Sequence, residues 1–501
     1  MAKRTTTFEL MLPPRDPSIP AYRWLYESLR SAILNGRLKP GARVPSTRDL
    51  SAQYGLSRGT IIVAFELLES EGYTEGSIGS GTYVGRTLPD ELLRVAATAK
   101  PQETGLPAAR RSRRRFSDQA RRATLFPGKE NRPSRAFRPN LPALDLFPAT
   151  LWAQITARRM RRASTNLLLG CSPMGYPPLQ EAVCAYLSAS RGVKCEPGQV
   201  AIVSGAQEAL DLAARLFLNP GDRVCMEDPG YIGAAMVFEG IGAKISPANV
   251  DDDGMKPSPS NLRGARLVYV TPAHQFPLGA SMSLARRLTL LDWARRTGAV
   301  IFEDDYDSEF RYSGRPVPAL QGLDGGEQVL FAGSFSKVLF PALRLGYLVL
   351  PPDLVDRFAA LKSVTSRHTS LLEQAVLCDF IVAGHFARHL RRMRQIYAER
   401  LGVLLDGGRQ HLAGLLEISK VEAGLQTVGW LRPGLDSASC AKAAAARGVE
   451  VTPLSEYSRR RLAREGLQLG FAAVDQKELG RGVRELAAVL EMESKASHAS
   501  E

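Results

Sequence analysis

The sequence predicts a small α+β domain followed by a large α/β domain with a mostly parallel sheet and helices on both of its faces. Three helical patterns and a glycine-rich hairpin occupy residues 21–85, whereas from about residue 137 apolar strands alternate with helices. A chain of 501 residues is also too long for one ordinary core. We therefore expect domains at residues 18–86 and 137–490, joined by a linker over residues 87–136.

The helices of the first domain have recognisable ends. Asn35-Gly36 ends the first helix, Ser46 can cap a short second helix that Gly55 ends, and Ser57 can cap the third. The apolar residues predicted to face inward are Leu25, Leu29, Ile33, Ile61, Phe65 and Leu68. Two helices joined at Gly55 form a helix-turn-helix, and residues 72–85 form a hairpin beside it.

The stretch PGARVPSTRDLSAQYGLSRGTIIVAFELLESEGY resembles the winged-helix domain of GntR-type bacterial transcription factors. The resemblance implies that the domain binds double-stranded operator DNA. The residues it implies at the DNA are Arg43, Ser46, Arg48, Arg58, Thr60 and, at the wing tip, Gly81. The alternative is a small helical domain with no ligand.

The excess of positive charge is concentrated between the domains. Residues 87–138 hold 13 Lys and Arg against 5 Asp and Glu, which contributes 8 of the net charge of +14. Like charges repel, so this segment, with RRSRRR at 110–115, is predicted to be a flexible linker. Whether it also contacts DNA phosphates stays open.

Cysteine and hydropathy patterns point to the cytoplasm. The six cysteines form no CxxC pair, no apolar run approaches the roughly 20 residues of a transmembrane helix, and the N-terminus lacks a secretory signal. His385 and His389 lie four residues apart, but without a further ligand nearby they predict a solvated helix face, and we expect no metal site.

Polar residues follow the predicted strands of the large domain. The strands are residues 200–205, 223–227, 266–272, 299–304, 329–334 and 345–351. Because ligands of open α/β sheets bind at the carboxyl ends of strands, the residues there should converge on one crevice. The first strand also enters a helix through Gly205, a backbone geometry that suits a phosphate.

A lysine, a carboxylate, a tyrosine, a second aromatic residue and a phosphate cradle together match the needs of pyridoxal 5'-phosphate. The aldehyde takes a lysine Schiff base, a carboxylate keeps the pyridine nitrogen protonated, and an aromatic ring stacks on the cofactor. Lys337, in GSFSKVLFPALRLGY, is the lysine that stands in such surroundings.

Residues 137–490 resemble a fold-type I pyridoxal-phosphate domain of the aminotransferase kind. The motifs GYPPLQEAV, SGAQEALDL, EDPGY, TPAHQFPLG, EDDYDSEFRY and SFSKVLFPALRLGY resemble those of the MocR/GabR group, in which such a domain follows a GntR-type reader. The resemblance implies that Lys337 forms the internal aldimine, Asp304 pairs with the pyridine nitrogen, Tyr306 hydrogen-bonds the ring hydroxyl and Tyr231 stacks on the ring. The other implied cofactor contacts are Gly205, Ala206, Gln207, His274, Ser334, Ser336 and Arg344.

Two positions depart from the aminotransferase pattern, and two neighbouring aspartates leave a choice. Neighbours on a strand point to opposite faces, so one of Asp304 and Asp305 reaches the ring, and Asp304 is favoured. Gln468 stands where catalytic aminotransferases commonly place an arginine for the substrate carboxylate, and Phe276 replaces the asparagine of the N-P-x-G turn. Whether Arg447 or one of Arg459 to Arg461 substitutes for that arginine stays open.

These departures favour a regulator over an enzyme. The leading hypothesis is a transcription regulator that senses pyridoxal phosphate or an amine that reacts with it, and the family resemblance implies that it is a head-to-tail homodimer. Whether this regulator keeps residual transaminase activity stays open. The alternative is a pyridoxal-phosphate-dependent aminotransferase with an appended DNA-binding domain. A third hypothesis is a DNA-binding protein whose large domain has lost the cofactor and serves to dimerise.

Overall fold

The computed structural model describes residues 10–77, 81–86, 88, 115–127, 132–313, 318–419 and 421–499. The chain divides into two compact units, Met1–Arg114 and Arg115–Glu501. Most of the expected linker lies outside the described residues. Within its range, residues Asp118–Arg122 form a short helix that belongs to the second unit, where Arg122 donates hydrogen bonds to the carbonyl groups of Gly240 and Ile241.

The first unit contains three helices and a two-stranded hairpin. They are α1 (Ala21–Leu34), α2 (Thr47–Tyr54), α3 (Arg58–Ser70), β1 (Thr74–Ser77) and β2 (Gly81–Val84), and the two strands are antiparallel. Ser46 caps α2 with Asp49 as its reciprocal partner, as the sequence predicts, and Ser57 caps α3. Phe65 is half-buried rather than central, because Ala64 takes the inward position one residue earlier.

A large sheet forms the centre of the second unit. Its strand order is β3-β10-β9-β8-β7-β4-β5-β6. The strands are β3 (Val200–Val203), β4 (Arg223–Asp228), β5 (Lys244–Asp251), β6 (Gly254–Met255), β7 (Ala265–Val270), β8 (Val300–Asp305), β9 (Val329–Ser334) and β10 (Gly346–Val349). Strands β5, β4, β7, β8 and β9 are parallel, while β10 runs antiparallel to both neighbours. The predicted mostly parallel sheet is therefore confirmed.

Helices cover this sheet and extend from it. Numbered from the short helix α4 (Asp118–Arg122), they are α5 (Ala149–Arg161), α6 (Thr165–Leu169), α7 (Pro177–Arg191), α8 (Ala206–Phe217), α9 (Ile232–Ile241), α10 (Pro259–Leu262), α11 (Leu284–Thr297), α12 (Leu320–Asp324), α13 (Val355–Thr365), α14 (Leu371–Val382), α15 (His385–His411), α16 (Ser437–Ala446) and α17 (Gln476–Ala499). Short 3-10 turns occur at Leu144–Leu146, Pro197–Gln199, Pro341–Leu343, Pro352–Leu354 and Leu454–Tyr457.

A second, antiparallel sheet stands apart from the large one. Its order is β11 (Leu416–Ile418), β12 (Gln426–Leu431), β14 (Gly466–Gly470) and β13 (Thr452–Pro453). Residues 136–140, which we call the strap, cross this sheet: Ala136 bridges to Val449 and Phe137 to Gly470. The strap thus ties the start of the large domain to its C-terminal part.

One helix differs from expectation at a histidine. His389 on α15 is buried, and its Nε2 lies 3.1 Å from the Val338 carbonyl oxygen, so the predicted solvated face is wrong for this residue. His389 is the fifth residue of this helix and lies on the side that packs into the core, beside the buried residues Phe386 and Leu390. Separately, among the residues that the structure describes, no helix has both the length and the apolar character needed to cross a bilayer.

Candidate functional site

Lys337 lies beyond the carboxyl end of β9 and is half-buried. Its Nζ donates a hydrogen bond of 2.8 Å to the backbone carbonyl of Asn140 in the strap. This hydrogen bond joins residues separated by 197 positions in the chain. Asn140 was not among the predicted site residues. Its backbone has a φ of 61°, in the left-handed region that asparagine adopts more readily than most residues. The asparagine of FRPN was therefore a sequence signal for this conformation.

Asp304 lies at the end of β8 on the side of Lys337. Its Oδ2 accepts a hydrogen bond of 2.8 Å from the Tyr269 hydroxyl, while its buried Oδ1 has no partner among the described residues. Burial raises the pKa of Asp304 to about 6; the hydrogen bond from Tyr269 and the Lys337 ammonium group lower it, and Asp305 raises it further. A buried carboxylate with one oxygen unsatisfied suits a cationic or protonated ligand atom.

Asp305 faces the other way. Its Oδ2 accepts a hydrogen bond of 2.7 Å from Arg191 Nε, and both side chains are almost completely buried. The alternation of a strand separates the two neighbours, so Asp304 shares a side with Lys337 and Asp305 balances a buried arginine. That Asp304 pairs with the pyridine nitrogen stays a prediction.

The predicted phosphate cradle gathers around the start of α8. Gly205, at a φ of 87°, immediately precedes this helix of 12 residues, whose first residue is Ala206. The Arg344 guanidinium lies beside it, with a nitrogen 3.9 Å from the position that a Cβ on Gly205 would take. Ser336 N donates to Ser334 Oγ at 3.2 Å in the loop before Lys337. Backbone N–H groups, a helix N-terminus and an arginine are the features that bind phosphate.

Glu208 is an acidic residue in the first turn of α8 that the sequence did not single out. Its carboxylate accepts a hydrogen bond of 2.8 Å from Lys362, which is fully buried, and another from the Ser204 backbone N–H. Because Lys362 balances its charge, Glu208 does not leave this helix N-terminus negative.

Tyr231 begins the aromatic side of the site. Its hydroxyl accepts a hydrogen bond of 3.0 Å from Gln207 Nε2, which links it to the cradle. Gly233 permits this approach, because a Cβ there would lie 2.3 Å from the same nitrogen. Burial raises the pKa of Tyr231 to about 12, so this ring stays neutral near neutral pH.

His274 and Tyr306 form a second polar pair. The Tyr306 hydroxyl lies 3.1 Å from His274 Nδ1, which is also 2.8 Å from Asp307 Oδ1. Burial raises the pKa of Tyr306 well above its ordinary value, with Asp307 contributing. The histidine and Asp307 therefore hold the position of Tyr306, and Tyr306 remains a neutral phenol.

A cluster of rings closes this side. The centroid of Phe276 lies 5.7 Å from Tyr231, 5.9 Å from Tyr306 and 5.1 Å from Tyr457. The Tyr457 hydroxyl donates a hydrogen bond of 2.8 Å to Gln468 Oε1. Phe276 and Gln468, the two departures from the aminotransferase pattern, thus belong to one connected group with Tyr457. Tyr457 was missed because its 3-10 turn carries no strand-end signal.

The predicted DNA-binding residues belong to the first unit. Arg43, Arg48 and Arg58 are exposed, and the Thr60 and Ser57 hydroxyls are 2.8 Å apart at the start of α3. Arg43 lies beside the hairpin, since a Cβ on Gly81 would be 2.8 Å from its Nε. The Ser46 hydroxyl and backbone N–H are both engaged with Asp49 in the α2 capping box, and the Ser46 carbonyl accepts from the Leu50 N–H. Helix starts and the hairpin therefore present exposed basic groups.

Comparison with known proteins agrees with both units. A model of the gntR family of bacterial regulatory proteins matches residues 21–84, and a model of aminotransferase class I and II matches residues 142–486. The chain is 42% identical over 487 residues to the probable rhizopine catabolism regulatory protein MocR of Rhizobium meliloti, covering 97% of each. It is 32% identical over 469 residues to the uncharacterized HTH-type transcriptional regulator YhdI of Bacillus subtilis (strain 168), covering 93% of this chain and 95% of that one.

Solved structures support the fold of the large unit. The kynurenine aminotransferase of Pyrococcus horikoshii, described in complex with PMP, matches with a TM-score of 0.69 and 27% identity. The match covers 75% of this chain and 97% of that one. A multiple substrate aminotransferase from Thermococcus profundus matches with the same TM-score and 28% identity, over 76% and 98% of the two chains.

Proposed function

The chain belongs to the MocR-type helix-turn-helix transcription regulators, which join a GntR domain to an aminotransferase class I and II domain, and from this premise we propose that Lys337 binds pyridoxal phosphate covalently. We propose further that DNA binding responds to the cofactor or to an amine that reacts with it. The relatives that match almost the whole chain are named as regulators, so the chain is a DNA-binding regulator rather than an enzyme.

The observation that carries the cofactor proposal is the unsatisfied oxygen of Asp304. When bound, pyridoxal phosphate supplies an aldehyde for a primary amine and an electron-withdrawing ring. A protonated pyridine nitrogen would donate to Asp304 Oδ1, which is buried and has no hydrogen-bond partner in the described part of the chain. Lys337 lies on the same side, close enough to lower the pKa of Asp304. One carboxylate therefore pairs with the ring while the lysine amine binds the aldehyde.

The remaining residues fit the other parts of the cofactor. The N–H groups of Gly205, Ala206 and Gln207, with Ser334, Ser336 and Arg344, would hold the phosphate. Tyr231 would stack on the ring, positioned by Gln207. Tyr306 would donate to the ring hydroxyl, and His274 with Asp307 would keep it oriented. The third hypothesis, a large domain that has lost its cofactor, does not account for a set of residues this complete.

The winged-helix unit would read operator DNA. The start of α3 would enter the major groove with Arg58 and Thr60, while Arg43 and Arg48 would contact phosphates. Ser46 would act through its cap, which fixes the start of α2 beside them. Gly81 would let the hairpin approach the DNA closely. Exposed arginines at two helix starts and beside the hairpin support this assignment.

We propose that the regulator is a head-to-tail homodimer. Met160 on α5 and Leu168 and Leu169 on α6 are 50%, 70% and 78% exposed. Apolar side chains concentrated on consecutive helices indicate a surface that a second copy would cover. The two winged-helix domains of one dimer would then bind two DNA half-sites. A ligand would regulate binding by favouring one spacing between these domains.

The test is a binding titration with DNA from the region upstream of the gene itself. We expect the affinity or the footprint of the wild-type protein to change when pyridoxal phosphate is added, and Lys337→Ala to remove that change. Lys442→Ala, on the exposed side of α16, is the matched control and should behave as wild type. Identical binding by all three proteins with and without the cofactor would contradict the proposal.

A further inference from the structure

Two buried glutamines lie on one face of the small sheet. Gln426 on β12 is 2% exposed and Gln468 on β14 is 0% exposed. Gln426 Oε1 accepts from the Asn140 N–H at 2.8 Å, and Gln468 Oε1 accepts from Tyr457 at 2.8 Å. Each Nε2 is buried without an acceptor among the described residues. Buried donors are normally satisfied, so two unsatisfied amides on one face indicate a ligand that accepts hydrogen bonds. We call this face, with Gln426 and Gln468, the wall.

This wall faces the reactive lysine. Gly470 lies opposite Gln426, and Gln468 precedes Gly470 by two residues, so all three share one face of the sheet. The strap covers that face, since a Cβ on Gly470 would be 2.0 Å from the Arg138 carbonyl oxygen. The same strap accepts the hydrogen bond from Lys337 through Asn140. The ring contacts from Tyr457 through Phe276 to Tyr306 connect the wall to the cofactor site from the other side.

The wall is neutral, and its surroundings are acidic. In the part of the chain that the structure describes, no lysine or arginine donates to either glutamine. Three arginines of the adjoining segments have other partners: Arg138 the carbonyl groups of Arg132 and Pro133, Arg459 the carboxylate of Glu239, and Arg460 the side chain of Asn249. The nearby acidic side chains are Asp304, Asp307 and Glu227. Burial is the main cause that raises the pKa values of Asp304 and Glu227; Asp307 also raises that of Asp304, and Asp304 also raises that of Glu227.

From these observations, and resting on the proposed function, we propose that the effector is a primary amine bearing neutral hydroxyl or carbonyl oxygens where an amino acid bears its carboxylate. Two amide donors satisfy neutral oxygens fully. They do not balance a buried negative charge. Such a charge would lose its hydration and would be repelled by the acidic groups nearby. The rings of Tyr457 and Phe276 supply apolar surface for the carbon skeleton of such an amine.

The amine would replace Lys337 at the aldehyde carbon of pyridoxal phosphate. Entering as an ammonium ion, the amine would form the C=N bond as the bond to Lys337 Nζ breaks, and all of its N–H protons would pass to Lys337 Nζ, which would leave as an ammonium group. No oxidant or further reactant is needed. The released Lys337 ammonium group would donate a hydrogen bond to the Asn140 carbonyl, so the exchange would change a contact of the strap.

The experiment compares matched amines by the absorption of the protein loaded with pyridoxal phosphate. The pairs are 2-amino-1,3-propanediol against serine and 3-amino-1-propanol against β-alanine, each pair differing in hydroxymethyl against carboxylate. We expect the hydroxylated member to shift the cofactor spectrum at a concentration about tenfold lower, a difference of one well-made hydrogen bond or charge. Equal response, or a preference for the carboxylates, would overturn the inference.

Variants make the test specific. Gln468→Arg should reverse the preference in favour of serine and β-alanine, whereas Gln410→Arg, at an exposed position of α15, should leave it unchanged. Gln468→Leu removes the donor without adding charge and should abolish the preference, which keeps the inference testable if Gln468→Arg does not fold. A wild-type protein that takes up no cofactor would contradict the proposed function instead. A loaded protein that prefers carboxylates would contradict the effector class alone.

Discussion

Lys337 Nζ donates a hydrogen bond of 2.8 Å to the carbonyl group of Asn140, which has a φ of 61°. Replacing Asn140 with isoleucine keeps this carbonyl but places a β-branched side chain in the left-handed region. We expect a loss of about 1–2 kcal/mol in the free energy of unfolding, measured by urea denaturation. Asn140→Gly is the control, and it should lose less because glycine adopts this conformation readily. Equal losses would show that the asparagine side chain, rather than the backbone, stabilises the strap.

The pKa of Asp304 predicts a pH dependence of stability before the cofactor binds. Its value of about 6 lies above the ordinary 3.8, so the folded state binds the proton more tightly than the unfolded state. The resulting stability is complete below about pH 4 and is lost as the pH rises through 6, at most about 3 kcal/mol. Asp304→Asn should make the melting temperature depend less steeply on pH between these values. Asp292→Asn, an exposed carboxylate on α11, should leave the slope as in wild type; unchanged slopes in both variants would contradict the assignment.

The buried ion pair of Asp305 and Arg191 predicts a large effect on stability. Arg191→Met would leave the Asp305 carboxylate buried without its partner, and we expect a loss of about 3–5 kcal/mol in chemical denaturation. Arg296→Met on α11 breaks an exposed pair with Asp292 and should cost at most about 0.5 kcal/mol. A small loss for Arg191→Met would mean that water reaches Asp305.

Replacing Arg58, the first residue of α3, should specifically weaken DNA binding. Arg58→Ala should weaken binding to the upstream DNA by about tenfold in fluorescence anisotropy at fixed salt. If the contact is to a phosphate, the slope of affinity against salt should also fall by about 1. Arg23→Ala removes the same charge from α1, where the arginine pairs with Glu27, and should change affinity less. Equal losses would indicate a general charge effect.

The exposed apolar residues of α6 predict the oligomeric state. Replacing both Leu168 and Leu169 with glutamate should convert the dimer to a monomer in sedimentation experiments, because it would bury charge in the interface. Leu284 on α11 is 59% exposed, and Leu284→Glu serves as the control that should remain dimeric. A wild-type protein that sediments as a monomer would contradict the dimer proposal directly.

Much of the fold was readable from local patterns. The parallel strands were predictable because each is a short apolar run followed by a turn, and residues such as Ser57 and Gly55 mark helix ends through backbone chemistry. Lys337 and Asp304 could be found because they follow such strands. Tyr457 and Gln426 could not be found in this way, since neither follows a strand of the large sheet, and their relevance arises from contacts with Gln468 and Asn140.

The sequence by itself determined the two-domain plan, the order of strands along the chain and the residue types at the strand ends, because apolar periodicity and capping act over a few residues. The tertiary structure decided which carboxylate shares a side with Lys337, since the partner of Asp305 lies 114 positions away on α7. It also decided that the strap reaches the lysine and that Gln426 and Gln468 share a wall. Such contacts depend on how distant segments pack, which no local pattern encodes.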